Sequence, residues 1–439
     1  MIGSEGFRKY FKNFSWLFAD RMVRLALVMV TGIFVTRHLG AGKFGQLNYA
    51  GAIVTIAFML TSMGLNEIIV RDMVRHPERR DDLLGTSFWL KFIGSVVLNI
   101  GVLLFALLKD FNALTITLIL ITAGAELFKP VMVTEYFFLS RVQGRVVAQV
   151  NIAQALVSSG FKLGLVAMNA PVIWFAWSYV IESAAYAVAW YVAYRHQDLH
   201  MRAWRWSKRM AIYLLSQSWP VVIYGIALQI QLKVDQVMIF DILKKTIGED
   251  AANVEVGQYA VAVKMIEAMA FLPVIIQMSL SPAIARARVQ DLDLYHERLT
   301  NQYRLMFLLY LSTSIPLFFV AEPLIVWLYG EEFRLAGHIL AIFAARLVFS
   351  YIGVAKNSFI TNESLFRFSL VNAIVGASIN IGLNMVLIPT MHSNGAIWST
   401  LISFFVSVYL VDAVHPRTRK NFRMMTLGML TFWRIRSVK

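Results

Sequence analysis

Nine lysines and arginines fall inside stretches otherwise apolar enough to cross a membrane: Arg21, Arg24, Lys91, Lys129, Lys162, Lys233, Lys264, Arg346 and Lys356. A basic side chain at the centre of a lipid-facing helix costs roughly 2.5–3.5 kcal/mol, so the whole set would cost on the order of 25 kcal/mol. That exceeds the net stability of an ordinary domain. Most of these cations must therefore face a bundle interior or a water-filled cavity, and a cavity lined by cations suits an anionic passenger.

Some of the cations have carboxylates at helical spacing. Asp20 and Arg24 are four apart, while Glu126 and Lys129, and Lys264 and Glu267, are three apart. Each pair shares a helix face, and structural ion pairing is the plain alternative to a binding role. Arg21, Lys91, Arg346 and Lys356 have no acidic residue three or four positions away. Unless a neighbouring helix supplies one, they are the better ligand candidates. Lys162 is expected to snorkel. Trp89 and Tyr136 offer faces for sugar rings, although aromatic side chains in spans more often only pack.

Asp235 lies deep in an apolar stretch with Gln229, Gln231, Lys233 and Gln236 around it. These positions do not form one stripe, so a break or re-aiming of the helix is expected. Asn372, Asn380 and Asn384 lie on one face of a later span, with Gly376 as a small notch between them. Asp235 with Asn380 and Asn384 is the candidate site for a coupling Na⁺ or H⁺; interhelical hydrogen bonding is the alternative.

Several chemistries are excluded. Cysteine is absent, which removes disulfides, thiolate metal sites and a cysteine nucleophile. Gly40-Ala41-Gly42-Lys43 lacks the remaining glycine and hydroxyl residue of a phosphate loop, having Arg37 and Phe44 there. His196 and His200 have no third ligand, so no metal site is expected. No catalytic residue is assigned: a G-x-S-x-G elbow and a catalytic dyad are both missing.

The elements that must position these groups are membrane helices. The 439 residues are 58% hydrophobic and only 15% charged, with mean hydropathy +0.62. Soluble domains have about 25% charged residues, so the chain reads as an all-α integral membrane protein. Its formal charge of +15 is attributed to membrane-flanking loops rather than to nucleic acid. No cleavable signal peptide is evident.

Spans are expected near 14–36, 44–69, 84–108, 112–139, 145–168 and 171–194, then 211–240, 256–284, 305–329, 335–361, 366–390 and 394–415. Pro130, Pro273 and Pro316 are expected to kink or break theirs. With twelve crossings, one side collects about 26 basic residues, from Arg8 and Lys9 through Arg71, Arg75, Arg141, Arg195 and Arg288 to Arg436 and Lys439. The other side holds about six, among them Arg37, Lys109 and Arg334. The positive-inside rule then puts both termini in the cytoplasm.

Two short likenesses, Ser15-Trp16 with Ser218-Trp219 and Phe44-Gly45-Gln46 with Val256-Gly257-Gln258, suggest two pseudo-symmetric six-helix lobes. The expected organisation is an N-terminal lobe over 1–194, a basic cytoplasmic linker over 195–210, and a C-terminal lobe over 211–415. A basic amphipathic tail follows over 416–439. Repeats of this kind place a transport site near the membrane midplane.

The chain resembles the polysaccharide repeat-unit flippases, the Wzx-type branch of the superfamily that includes MATE exporters and the lipid II flippase. The resemblance runs nearly end to end. It is carried first by Asp20-Arg21 and Arg24, then Thr36-Arg37-His38-Leu39-Gly40 with Phe44-Gly45, and Met63-Gly64-Leu65 to Val70-Arg71-Asp72. His76-Pro77-Glu78-Arg79-Arg80 follows. Later come Ser218-Trp219-Pro220, Val234-Asp235-Gln236-Val237-Met238, Ala373 to Pro389 and Pro416-Arg417-Thr418-Arg419. The loop between the seventh and eighth spans is longer than the family's usual one.

The resemblance implies a MATE-like fold and alternating access in a bacterial inner membrane. The cargo would be an undecaprenyl-pyrophosphate-linked oligosaccharide, moved to the periplasmic face for O-antigen, lipopolysaccharide or capsule assembly. A polysaccharide polymerase and a chain-length regulator would be partners, and the bilayer would hold the lipid tail. Arg21, Arg24, Lys91, Lys129, Lys264, Arg346 and Lys356 would line a cationic cavity. A multidrug exporter should prefer an acidic cavity, a lipid II flippase should have two further helices, and a membrane-embedded polymerase or ligase should have catalytic loops.

Overall fold

Backbone amides in lipid must find partners within their own segment, and helices provide these. In the computed structural model, which describes residues 4–434 with side chains from Lys12 onward except Phe14, every regular element is helical and no strand occurs among the described residues. The side chains of Arg8 and Lys9, with Arg436 and Lys439, lie outside the described residues.

Eleven helices are long and apolar enough to cross a membrane. The first, Ser15–Arg75, has 61 residues, about 90 Å at 1.5 Å per residue, far more than one crossing needs. It breaks at Gly40, whose φ of 67° and ψ of 172° are conformations a side chain would resist. The segment thus supplies two crossing lengths, and with the other ten makes the twelve expected.

Turn contacts within each half support that alternation. In the first half, the Gly144 N–H donates to Asn13 Oδ1 at 2.6 Å and the Arg205 N–H to Asp81 O at 3.2 Å. Gln46 Nε2 donates to Thr115 Oγ1 at 2.8 Å, and His38 Nε2 lies 2.9 Å from Ala170 O. In the second half, Arg288 Nε donates to Glu363 at 2.8 Å, and Gln258 Nε2 to Glu332 O at 2.7 Å. Every one of these contacts joins ends that twelve crossings put on the same side. One crossing more or fewer would separate some of them.

The chain divides into two compact units, one up to Ile226 and one from Ala227. The division falls inside the Lys208–Leu243 helix, beyond the basic 195–210 segment. That segment packs on the first unit, where Trp204 Nε1 donates to Tyr194 Oη at 3.2 Å. In the second unit the Arg419–Leu430 helix packs on Leu292–Tyr329, with Tyr303 Oη donating to Asn421 Oδ1 at 2.7 Å.

Two expectations about breaks need correction. The Lys208–Leu243 helix is continuous through its polar run, because neighbouring helices supply partners and the backbone need not unwind. Pro316 likewise does not break its span, which runs on as the Leu292–Tyr329 helix, so of the expected kink or break only the break is corrected. Pro130 does sit in a 3-10 stretch, Ala125–Met132, and Pro273 follows the interruption between Glu249–Met269 and Leu272–Gln290.

Candidate functional sites within the two units

In the first unit the polar residues gather around Asp20, which is 3% exposed. Arg24 Nη2 donates to Asp20 Oδ2 at 3.0 Å, as the spacing predicts. Asn151 Nδ2 reaches the same oxygen at 3.0 Å, and Tyr186 Oη donates to Asn151 Oδ1. Glu126 and Lys129 pair at 2.5 Å on the 3-10 stretch Ala125–Met132. In a 3-10 helix, side chains three apart eclipse one another, so this stretch brings the two charges directly together.

Lys91 is buried without a carboxylate within ion-pair distance among the described residues. Its Nζ donates to Asn66 Oδ1 at 3.0 Å and Tyr136 Oη at 3.1 Å, and Tyr136 Oη itself donates to Asn66 Oδ1 at 2.6 Å. Asn66 opens the Asn66–Arg75 helix, just after the second span breaks at Met63 and Gly64, both with positive φ. Tyr136 is thus committed to a lysine. Trp89 packs edge-on against Phe88 and Phe92.

In the second unit Asp235, Asn380 and Asn384 converge as expected, all 1% exposed or less. Asn384 Nδ2 donates to Asp235 Oδ1 at 2.7 Å and to Asn380 Oδ1 at 3.1 Å. Tyr259 Oη and Thr400 Oγ1 both donate to Asp235 Oδ2 at 2.5 Å. Asn384 Oδ1 is buried with no hydrogen-bond partner among the described residues. Carboxylate, amide and hydroxyl oxygens are the donors that hard cations take, and this orphaned oxygen is an acceptor still to be used. The notch at Gly376 is filled by Gln231, whose amide nitrogen would lie 2.5 Å from a Cβ there.

The remaining cations divide sharply. Arg346 sits on the 3-10 turn Ala344–Arg346 and is 4% exposed. Its guanidinium lies over the rings of Phe404 at 4.9 Å and Phe343 at 5.1 Å, and its Nε has no hydrogen-bond partner. It forms no hydrogen bond or ion pair among the described residues. Lys356 has the neighbouring-helix partner that sequence spacing could not reveal: its Nζ donates to Asp412 Oδ1 at 2.6 Å and Val408 O at 3.0 Å. Asn421 Nδ2 donates to the other Asp412 oxygen at 2.7 Å.

Lys162 does not snorkel but pairs with Glu182 at 2.7 Å. Glu267 is reached by Lys233, from the Lys208–Leu243 helix, at 2.6 Å. Arg21 and Lys264 are exposed on their helices.

Sequence reasoning missed Glu135, Asn66, Asn151, Tyr259, Thr400 and Asp412. Glu135 carried a signal in being a carboxylate in mid-span. The others are ordinary span residues until the helices are assembled.

Comparison with known proteins gives the family and the fold. The profile of the polysaccharide biosynthesis protein family matches residues 10–287, well over half of the chain, and the chain belongs to that family. The lipid II flippase MurJ, in an inward closed conformation, has a TM-score of 0.69 at 14% identity over 96% of this chain and 92% of MurJ. An inward-facing multidrug resistance MATE family transporter of the MOP superfamily gives 0.65 at 14%, over 93% of this chain and 99% of that one. A MOP superfamily transporter from Pyrococcus furiosus, described as having a binding pocket of reverse polarity, gives 0.56 at 12% over 98% and 95%. The architecture is therefore the MATE-like fold of that superfamily. No curated protein matches the sequence.

Proposed function

We propose that this member of the polysaccharide biosynthesis protein family is a flippase for undecaprenyl-pyrophosphate-linked oligosaccharide repeat units. It moves them from the cytoplasmic to the periplasmic leaflet of a bacterial inner membrane by alternating access, with both termini in the cytoplasm. The observation that carries this reading is Arg346, a buried guanidinium with aromatic faces beside it and no ion-paired carboxylate among the described residues. Such a group is costly in a membrane unless an anion visits it. A guanidinium fork suits a phosphate because it donates two parallel hydrogen bonds.

Lys91, held by neutral partners, is the first unit's own candidate phosphate ligand in this reading, and Arg21 and Lys264 are further exposed cations, one on each unit. Arg24, Lys129 and Lys356 each sit on a carboxylate and so contribute charge-balanced polar groups to their own units. The Asp235, Asn380 and Asn384 cluster takes the coupling Na⁺ or H⁺, with the orphaned Asn384 oxygen as the supporting detail. The protein then acts as a transporter rather than an enzyme, working with a polymerase and a chain-length regulator in O-antigen, lipopolysaccharide or capsule assembly. The likeness to MurJ supports one further reading, a carrier of a different lipid-linked anion.

The test is complementation of a bacterium lacking its repeat-unit flippase, with Arg346→Gln alongside. Restored surface glycan that the substitution abolishes, at equal protein level, is the expected result. Failure across strains with several repeat-unit chemistries would move the assignment to another cargo.

A further inference from the structure

Asp20, Glu126, Glu182, Glu267 and Asp412 each hold a lysine or arginine within 2.7 Å. Asp235 accepts hydrogen bonds from three neutral donors. Glu135 differs from all of them. It is partly buried on the Val133–Ser140 helix and its side chain forms no hydrogen bond or ion pair among the described residues. The charges that act on it are Arg24 and Asp20 from the first span and Lys91 from the third. Glu67, from the Asn66–Arg75 helix, acts on the adjacent Tyr136, as does Tyr186.

Arg24 and Asp20 balance each other. Glu67 is exposed to solvent, which leaves buried Lys91 and partly buried Glu135 as the uncompensated charges away from solvent, near one another but not paired. Asn66 and Tyr136 hold Lys91 in that position. Glu135 and Tyr136 are consecutive, so the helix presents a carboxylate and a phenol about 100° apart. The flexible four-carbon stem of a lysine can carry its ammonium between two such positions. An ammonium has three donors and two are occupied, leaving one for a visiting oxygen.

We infer that Glu135 and Lys91 are a switchable pair: a proton taken from water by Glu135 leaves Lys91 to the cargo's phosphates, and loss of that proton draws Lys91 onto Glu135. Proton binding at Glu135 and anion binding at Lys91 are then linked within this unit. The inference rests on the flippase reading and gives its first unit a proton site separate from the Asp235 cluster.

The test uses the full chain in lipid nanodiscs with undecaprenyl pyrophosphate as probe. Binding is titrated from mildly acidic to mildly alkaline pH in the native protein, Glu135→Gln and Lys91→Gln. The native affinity should fall by about tenfold or more toward alkaline pH, a difference of about 1.4 kcal/mol. Glu135→Gln should keep the acid-side affinity throughout, and Lys91→Gln should bind weakly at every pH. Proton uptake on binding, read with an indicator dye in weak buffer, should occur in the native protein and vanish in Glu135→Gln. An unchanged pH profile in Glu135→Gln would overturn the pair but leave the flippase standing. If that variant fails to fold, absence of proton uptake by the native protein overturns the pair by itself. No binding by the native protein at any pH would overturn the flippase reading as well.

Discussion

Each unit has one cation on a 3-10 interruption of a span and one lysine buried on a continuous helix, and the two units neutralise opposite members. In the first, Lys129 on the interruption is met by Glu126, while buried Lys91 rests on an amide and a phenol. In the second, Arg346 on the interruption has only aromatic faces, while buried Lys356 is closed by Asp412. Burial alone therefore does not mark a ligand-binding cation here. What marks it is burial without a carboxylate, because a paired charge has already recovered its desolvation cost and an unpaired one has not.

The largest expected effect is on the best-paired residue. Lys356→Met leaves Asp412 buried without its cation and should cost about 3–5 kcal/mol of stability, measured by thermal unfolding in detergent. Adding Asp412→Leu should recover most of it; stability close to native in the single variant would dissolve the contrast.

Arg346→Gln should do the reverse, leaving the unfolding temperature nearly unchanged while surface glycan export falls about 10–100-fold, the weight of one charged hydrogen bond at about 1.5–3 kcal/mol. Arg346→Lys should restore little, since a lysine lacks the fork.

Asp235→Asn should lower export by about tenfold and abolish its response to an imposed Na⁺ or H⁺ gradient, equivalent to about 1.4 kcal/mol. Export that is normal and still gradient-dependent would remove the coupling role.

Smallest is Lys129→Gln. Its side chain is 30% exposed, beside Glu126 at 5%, and the glutamine amide can still donate to that carboxylate, so the loss should be about 1 kcal/mol, with export nearly intact. A collapse of export there would show that pairing does not separate structural from binding cations.

Hydropathy made the crossings legible, because lipid demands long apolar helices, and the pairs Asp20–Arg24 and Glu126–Lys129 were legible because one helix turn brings them together. Lys356–Asp412, Lys162–Glu182 and Lys233–Glu267 were not, since spacing along the chain is silent about which helices touch. The interruption at Pro130 could be anticipated from proline. The one at Ala344–Arg346 has no proline, and nothing local distinguishes it. Asp235 with Asn380 and Asn384 was assembled correctly from an asparagine stripe and a lone buried acid, while Tyr259 and Thr400 gave no such cue. Glu135 was passed over in favour of its neighbour Tyr136, an aromatic whose hydroxyl turned out to be the relevant atom.

Asn421 lies beyond the last crossing, yet it completes the coordination of Asp412 and receives the Tyr303 hydroxyl. During synthesis, every span of the second unit can be in the bilayer while one Asp412 oxygen still waits for its donor. The carboxylate is satisfied only when residue 421 has cleared the ribosome and its helix has docked. A chain ending before residue 421 would thus leave one oxygen of a buried carboxylate without its donor, so the last span depends for its polar balance on a segment made after it.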